Sequence, residues 1–97
     1  MNDEELFQRQ KVWTAFINKP IDKEAVDDLM SGLKYERIDY MGEATGTHKN
    51  DAAWHTITLR DYKEVNKLRT VLLLDNYQVT LRVTEGKRAY LDVYDGG

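Results

Sequence analysis

Residues 60–94, RDYKEVNKLRTVLLLDNYQVTLRVTEGKRAYLDVY, carry the reading that decides the fold. Val79, Leu81 and Val83 alternate with Gln78, Thr80 and Arg82. Ala89, Leu91 and Val93 alternate with Arg88, Tyr90, Asp92 and Tyr94. A period of two with one oily and one polar face is the mark of a half-buried antiparallel pair, and Glu85-Gly86 between the two runs supplies the hairpin turn. Upstream, Asp61 followed three residues later by Glu64 reads as a capping box. Val65, Leu68, Val71 and Leu72 then recur at helical spacing, which predicts a helix from there to about Leu74, broken by Asp75-Asn76. Ending that helix near Arg69 and pairing residues 71–74 as a strand would leave a helix of nine residues, too short to be favoured alone.

Working outward, Tyr35 to Tyr40 and Thr56 to Leu59 show the same alternation: Ile38 and Tyr40 against Arg37 and Asp39, Ile57 and Leu59 against Thr56 and Thr58. Two further strands follow. Gly42 to Ala53 between them is rich in Gly, Thr, Asn and Asp and reads as an exposed loop. At the N-terminus, Asn2 and Glu5 have capping-box spacing. Leu6, Trp13, Phe16 and Ile17, widened by Phe7 and Val12, then suggest one helix over residues 3–18, stopped by Asn18 and Pro20. Asp22 caps a second helix, flanked by Ile21 and Val26 as a hydrophobic staple; its inward stripe is Val26, Leu29, Met30 and Leu33, weakened at the end by Gly32.

The expected architecture is α+β in two layers, order ααββαββ, with a four-stranded antiparallel sheet and the helices mainly on one face. The 97 residues suit a single domain over 1–97, and a chain of this size buries roughly 60–68 % of the surface that its unfolded form exposes. Hydrophobic residues at 41 % and charged residues at 32 % fit a folded globular chain. There is no long apolar run, and Met1-Asn2-Asp3-Glu4-Glu5 is acidic where a secretory signal is basic. The expectation is a cytoplasmic protein with no membrane partner.

Chemistry-bearing patterns are sparse. With no cysteine there are no disulfides, thiolate nucleophiles or cysteine-ligated zinc. His48 and His55 stand seven apart with Asp51 between them, a spacing that matches no familiar ligand pattern, so neither metal nor cofactor is expected. Ser31, the sole serine, sits on a helix with no base placed beside it. Asp39 and Glu43 have an ordinary reading as a solvated strand edge. Gly42 to Asp51 has glycines, hydroxyls and Lys49 but lacks phosphate-loop spacing and opens no helix. The chain is therefore read as not an enzyme.

Net charge is -3, with 11 acidic and 7 basic side chains in residues 1–53 against 6 and 7 in residues 54–97. No basic run is present, which disfavours general affinity for nucleic acid. What remains is the open sheet face. Tyr90, Tyr94, Arg82, Arg88 and Trp54 are its candidate binding residues, within a face that also includes Tyr35, Arg37, Thr56, Thr58, Gln78, Thr80 and Asp92. The reading is a small protein-interaction module acting through this face and the loop at 42–53, with a protein partner or self-association as a homo-oligomer. Two alternatives stay open. The same tyrosines and arginines could stack single-stranded nucleic acid. Alternatively, Asp3, Glu4 and Glu5 with Asp22, Glu24, Asp27 and Asp28 could mimic phosphates and inhibit a nucleic-acid-handling protein, although helix-dipole stabilisation explains the second group of acids equally well.

Overall fold

A computed structural model describes residues 2–18, 21–40 and 55–96. In chain order the elements are α1 (Asp3–Gln8), β1 (Trp13–Ile17), α2 (Lys23–Met30), β2 (Arg37–Tyr40), β3 (His55–Leu59), α3 (Tyr62–Leu74), β4 (Tyr77–Val83) and β5 (Ala89–Asp95). The α+β class holds. The order αβαββαββ replaces the expected ααββαββ, and the sheet has five strands where four were expected.

The difference lies in residues 9–18. α1 is only six residues long, capped by Asn2, whose side chain accepts from the Glu5 amide, and the chain then turns into a strand. Trp13, Ala15 and Ile17 are buried while Thr14 and Phe16 are half-buried on the opposite side. The expected helix over 3–18 is therefore corrected. Trp-Thr-Ala-Phe-Ile is dominated by aromatic and β-branched residues that suit a pleated surface, and Phe16, an apolar residue on the polar face, masks the alternation.

Sheet order is β2-β3-β1-β5-β4, so β1 lies at the centre. It pairs antiparallel with β3, with Ala15 opposite Ile57, and parallel with β5, with Ala15 opposite Leu91. The sheet is mixed, not purely antiparallel. β4 and β5 form the expected hairpin, with Leu81 opposite Leu91 and Arg82 opposite Tyr90. Its turn is longer than Glu85-Gly86 alone. The Lys87 amide donates to the Thr84 carbonyl and the Thr84 amide to the Arg88 carbonyl, while Lys87 takes a left-handed φ of 62°.

One core joins the layers. Phe7 of α1, Val26 and Leu29 of α2, and Val65, Leu68 and Leu72 of α3 pack on the inward residues of β1, β3 and β5. Phe7, Trp13 and Tyr62 meet edge-on or tilted with ring centroids 5.6–6.3 Å apart, and the Trp13 indole donates to the Phe7 carbonyl at 2.7 Å. Asp22 and Asp61 cap as their positions suggest, accepting from the Ala25 and Lys63 amides respectively. Glu64 does not close a capping box on Asp61. Its carboxylate instead accepts from the Lys34 amide at 3.1 Å and pairs with Lys67.

Candidate open-face binding surface

With all three helices on the side of Trp13, Ala15 and Ile17, strand alternation assigns the other side by register. Across the sheet it carries Asp39, Thr56, Phe16, Asp92 and Thr80 in one row, with Arg37, Thr58, Thr14, Tyr90 and Arg82 near them in a second. The expected face residues that lie in the described strands fall on this side, enlarged by β1, while Tyr35 precedes β2 and Trp54 lies outside the described residues.

Its centre is an ordered cluster. The Arg82 guanidinium lies over both the Phe16 and Tyr90 rings, 5.5 and 5.3 Å from their centroids, and those rings stand 5.4 Å apart at 59°. The same side chain donates through Nε to the Asp92 carboxylate at 2.8 Å. Asp92 is buried by its neighbours, with only 12 % of its side chain exposed, and ion pairing with a planar, weakly hydrated guanidinium is what makes that burial tolerable. Two rings and one ion pair thus contact the Arg82 guanidinium.

Of the five candidate residues, Arg82 and Tyr90 belong to this cluster. Tyr94 lies four residues beyond Tyr90 along β5, opposite Gln78 and 41 % exposed. Arg88 stands just before β5 at the foot of the hairpin turn, exposed, and joins the rim of a neighbouring groove and not the cluster. Trp54 and the loop at 42–53, with His48, lie outside the described residues, as does Glu43. Tyr35 precedes β2 and is exposed.

The groove, about 420 Å³, runs between residues 10–14 and 87–90 at the end of the sheet. Gln10 lines it and clamps the hairpin: its side-chain oxygen accepts from the Ala89 amide at 2.6 Å and its nitrogen donates to the Ala89 carbonyl at 3.0 Å. Lys11, Lys87 and Arg88 line it together with Tyr90. Among the described residues none of these three cations is paired with a carboxylate. Three cations of a chain of net charge -3 thus gather at one end of its open face, with the exposed Glu85 in the same turn. Sequence reasoning missed Phe16, Gln10 and Lys11 because it placed them in a helix. The Trp13-Ala15-Ile17 alternation was the signal that could have found them.

On the opposite side of the sheet, Tyr40 donates its hydroxyl to the Asp27 carboxylate, which also pairs with Lys23 at 3.3 Å. Burial, reinforced by the carboxylate, pushes Tyr40 up to about 12, and the Tyr40 hydrogen bond holds Asp27 below its ordinary value. His55 is buried with its ring 5.2 Å from that of Tyr40, and its Nδ1 has no hydrogen-bond partner among the described residues. Ser31 donates its hydroxyl to the Asp28 carbonyl, and Asp39 pairs with Arg37 at 2.8 Å. Of the acids at the helix starts, Glu4 pairs with Arg69 and Asp22 caps α2. Among the described residues no three metal-ligating side chains converge, and no helix is long and apolar enough to cross a membrane.

A second groove, about 410 Å³, lies between α3 and the segment after α2, lined by Leu33, Lys63, Asn66, Lys67, Thr70 and Val71. The groups with displaced pKa values, Asp27, Tyr40, Glu64 and Tyr77, line neither groove. Compared with models of known protein families, with curated proteins and with solved structures, the chain finds no match in any of the three.

Proposed function

We propose that this chain is a non-enzymatic protein-interaction module whose open sheet face is the contact surface. The observation that carries the reading is the Phe16–Arg82–Tyr90 cluster locked by Asp92. Aromatic and arginine side chains dominate the energetics of protein interfaces, and they do so best when already ordered, because less rotamer freedom is lost on binding.

The same cluster weighs against single-stranded nucleic acid. Arg82 covers the rings on which a base would stack, and the buried carboxylate of Asp92 sits beside it. A protein partner needs no free ring face. The groove beside Tyr90, with Lys11, Lys87 and Arg88 unpaired, favours a partner that brings carboxylates to that end of the face. The remaining acids favour the phosphate-mimic reading less, since Glu4, Asp22 and Asp27 are already engaged within the fold.

The test recovers partners of tagged protein from source-cell extract, wild type against a Tyr90→Ser, Tyr94→Ser double variant, with and without nuclease. A nuclease-resistant protein partner retained by the wild type and lost by the variant is the expected outcome. Recovery that disappears with nuclease would replace this reading with the nucleic-acid one.

A further inference from the structure

The sheet has two edges, and they are not alike. β2 is four residues long and carries the Arg37–Asp39 ion pair, two features that discourage strand addition. β4, at the other edge, is seven residues of Tyr-Gln-Val-Thr-Leu-Arg-Val with no proline, glycine or lysine. Its one charge, Arg82, leans back across the sheet to pair with Asp92 on β5. A row of backbone donors and acceptors without such protection is a template for another strand.

Apolar surface continues around that edge. α3 starts after β3 and ends at the two-residue link into β4, so its last turn lies at this edge of the sheet. There Leu73 and Leu74 are 62 % and 76 % exposed. On β4 itself Val79, Leu81 and Val83, which face the helix layer, are only half-buried.

We propose that β4 pairs antiparallel with β4 of a second copy of this chain, giving a twofold dimer with one continuous ten-stranded sheet. The occupant is argued from the strand's own sequence. Pairing centred on Thr80 sets Tyr77 opposite the partner's Val83, Gln78 opposite the partner's Arg82 and Val79 opposite the partner's Leu81. No like charges meet anywhere along the seven residues, and apolar faces apolar on the helix side. A twofold axis through the sheet keeps both helix layers on one side and both open faces on the other. The dimer therefore doubles the open face without covering it, and it stands whether or not that face binds a protein.

Sedimentation equilibrium of the full chain over a concentration series tests this directly. Wild type is expected to reach twice the 11.3 kDa chain mass. Thr80→Lys, which opposes two like charges at the pair centre, is expected to return it to the single-chain mass with an unchanged circular dichroism spectrum; Leu74→Ser is expected to weaken the dimer. Amide hydrogen exchange on wild type diluted through the transition needs no variant, and protection of β4 amides is expected to fall with the dimer fraction. Single-chain mass at every soluble concentration would overturn the proposal. So would a dimer whose dissociation leaves β4 exchange unchanged.

Discussion

Glu64 ties together segments thirty residues apart. Its side chain is buried on α3, and the Lys34 backbone amide, followed by the Lys67 ammonium, holds its carboxyl below the ordinary value of 4.5. A carboxylate with a depressed folded pKa contributes stability above its unfolded value, and that contribution is lost as pH falls through the folded value. Wild type is therefore expected to lose urea resistance as pH drops below 4.5, and Glu64→Gln is expected to show a lower midpoint at pH 7 with a smaller loss over that acid window. Equal pH dependence in the two would show that the carboxylate does not hold the segment after α2. Capping by Asp22 and Asp61 was legible because the rule is local, an acceptor placed before its own helix. The partner of Glu64 was not legible. The spacing that suggested a capping box cannot distinguish the helix's own amides from one brought up by tertiary folding.

At the scale of elements, α2, α3 and the β4–β5 hairpin follow from periodicity, because each buries one face and presents polar residues on the other. Burial of Val65, Leu68 and Leu72 confirms the phase of α3, and the alternation of β4 and β5 places Arg82, Tyr90 and Tyr94 on one face. β1 was hidden by Phe16. An apolar residue on the solvent face reads as part of a helical stripe, and what makes it acceptable there is Tyr90 and Arg82 from strands more than sixty residues away. The short connection from α1 into β1 is held by Gln10, which exchanges two hydrogen bonds with Ala89. Gln10→Ala is expected to cost about 1–3 kcal/mol by leaving the partly buried Ala89 groups unsatisfied. It should also speed amide exchange at Ala89 specifically. A neutral midpoint with unchanged exchange would mean that water replaces the clamp without loss.

For the molecule as a whole, the five-stranded order depends on inserting β1 between β3 and β5, and that parallel neighbour is formed by the last strand of the chain. Local patterns identify strands but do not order them. The requirement that an oily face on each strand meet the same helix layer fixes which way each strand faces, not its place in the order. Among the described residues that requirement leaves the opposite face uncovered by helices, and the Phe16–Arg82–Tyr90 cluster forms there from β1, β4 and β5. The α+β class and the side of the sheet taken by Arg82, Tyr90 and Tyr94 were therefore legible, while Phe16 at the centre of that side was not. Site-specific photocrosslinking in the source cell tests the central claim most directly, with a photoreactive phenylalanine analogue at Tyr94 on the open face or at Thr70 on the exposed side of α3. Adducts containing a protein other than this chain are predicted from Tyr94 and not from Thr70. Adducts from Thr70 alone would contradict the account and move the contact surface to the helix layer.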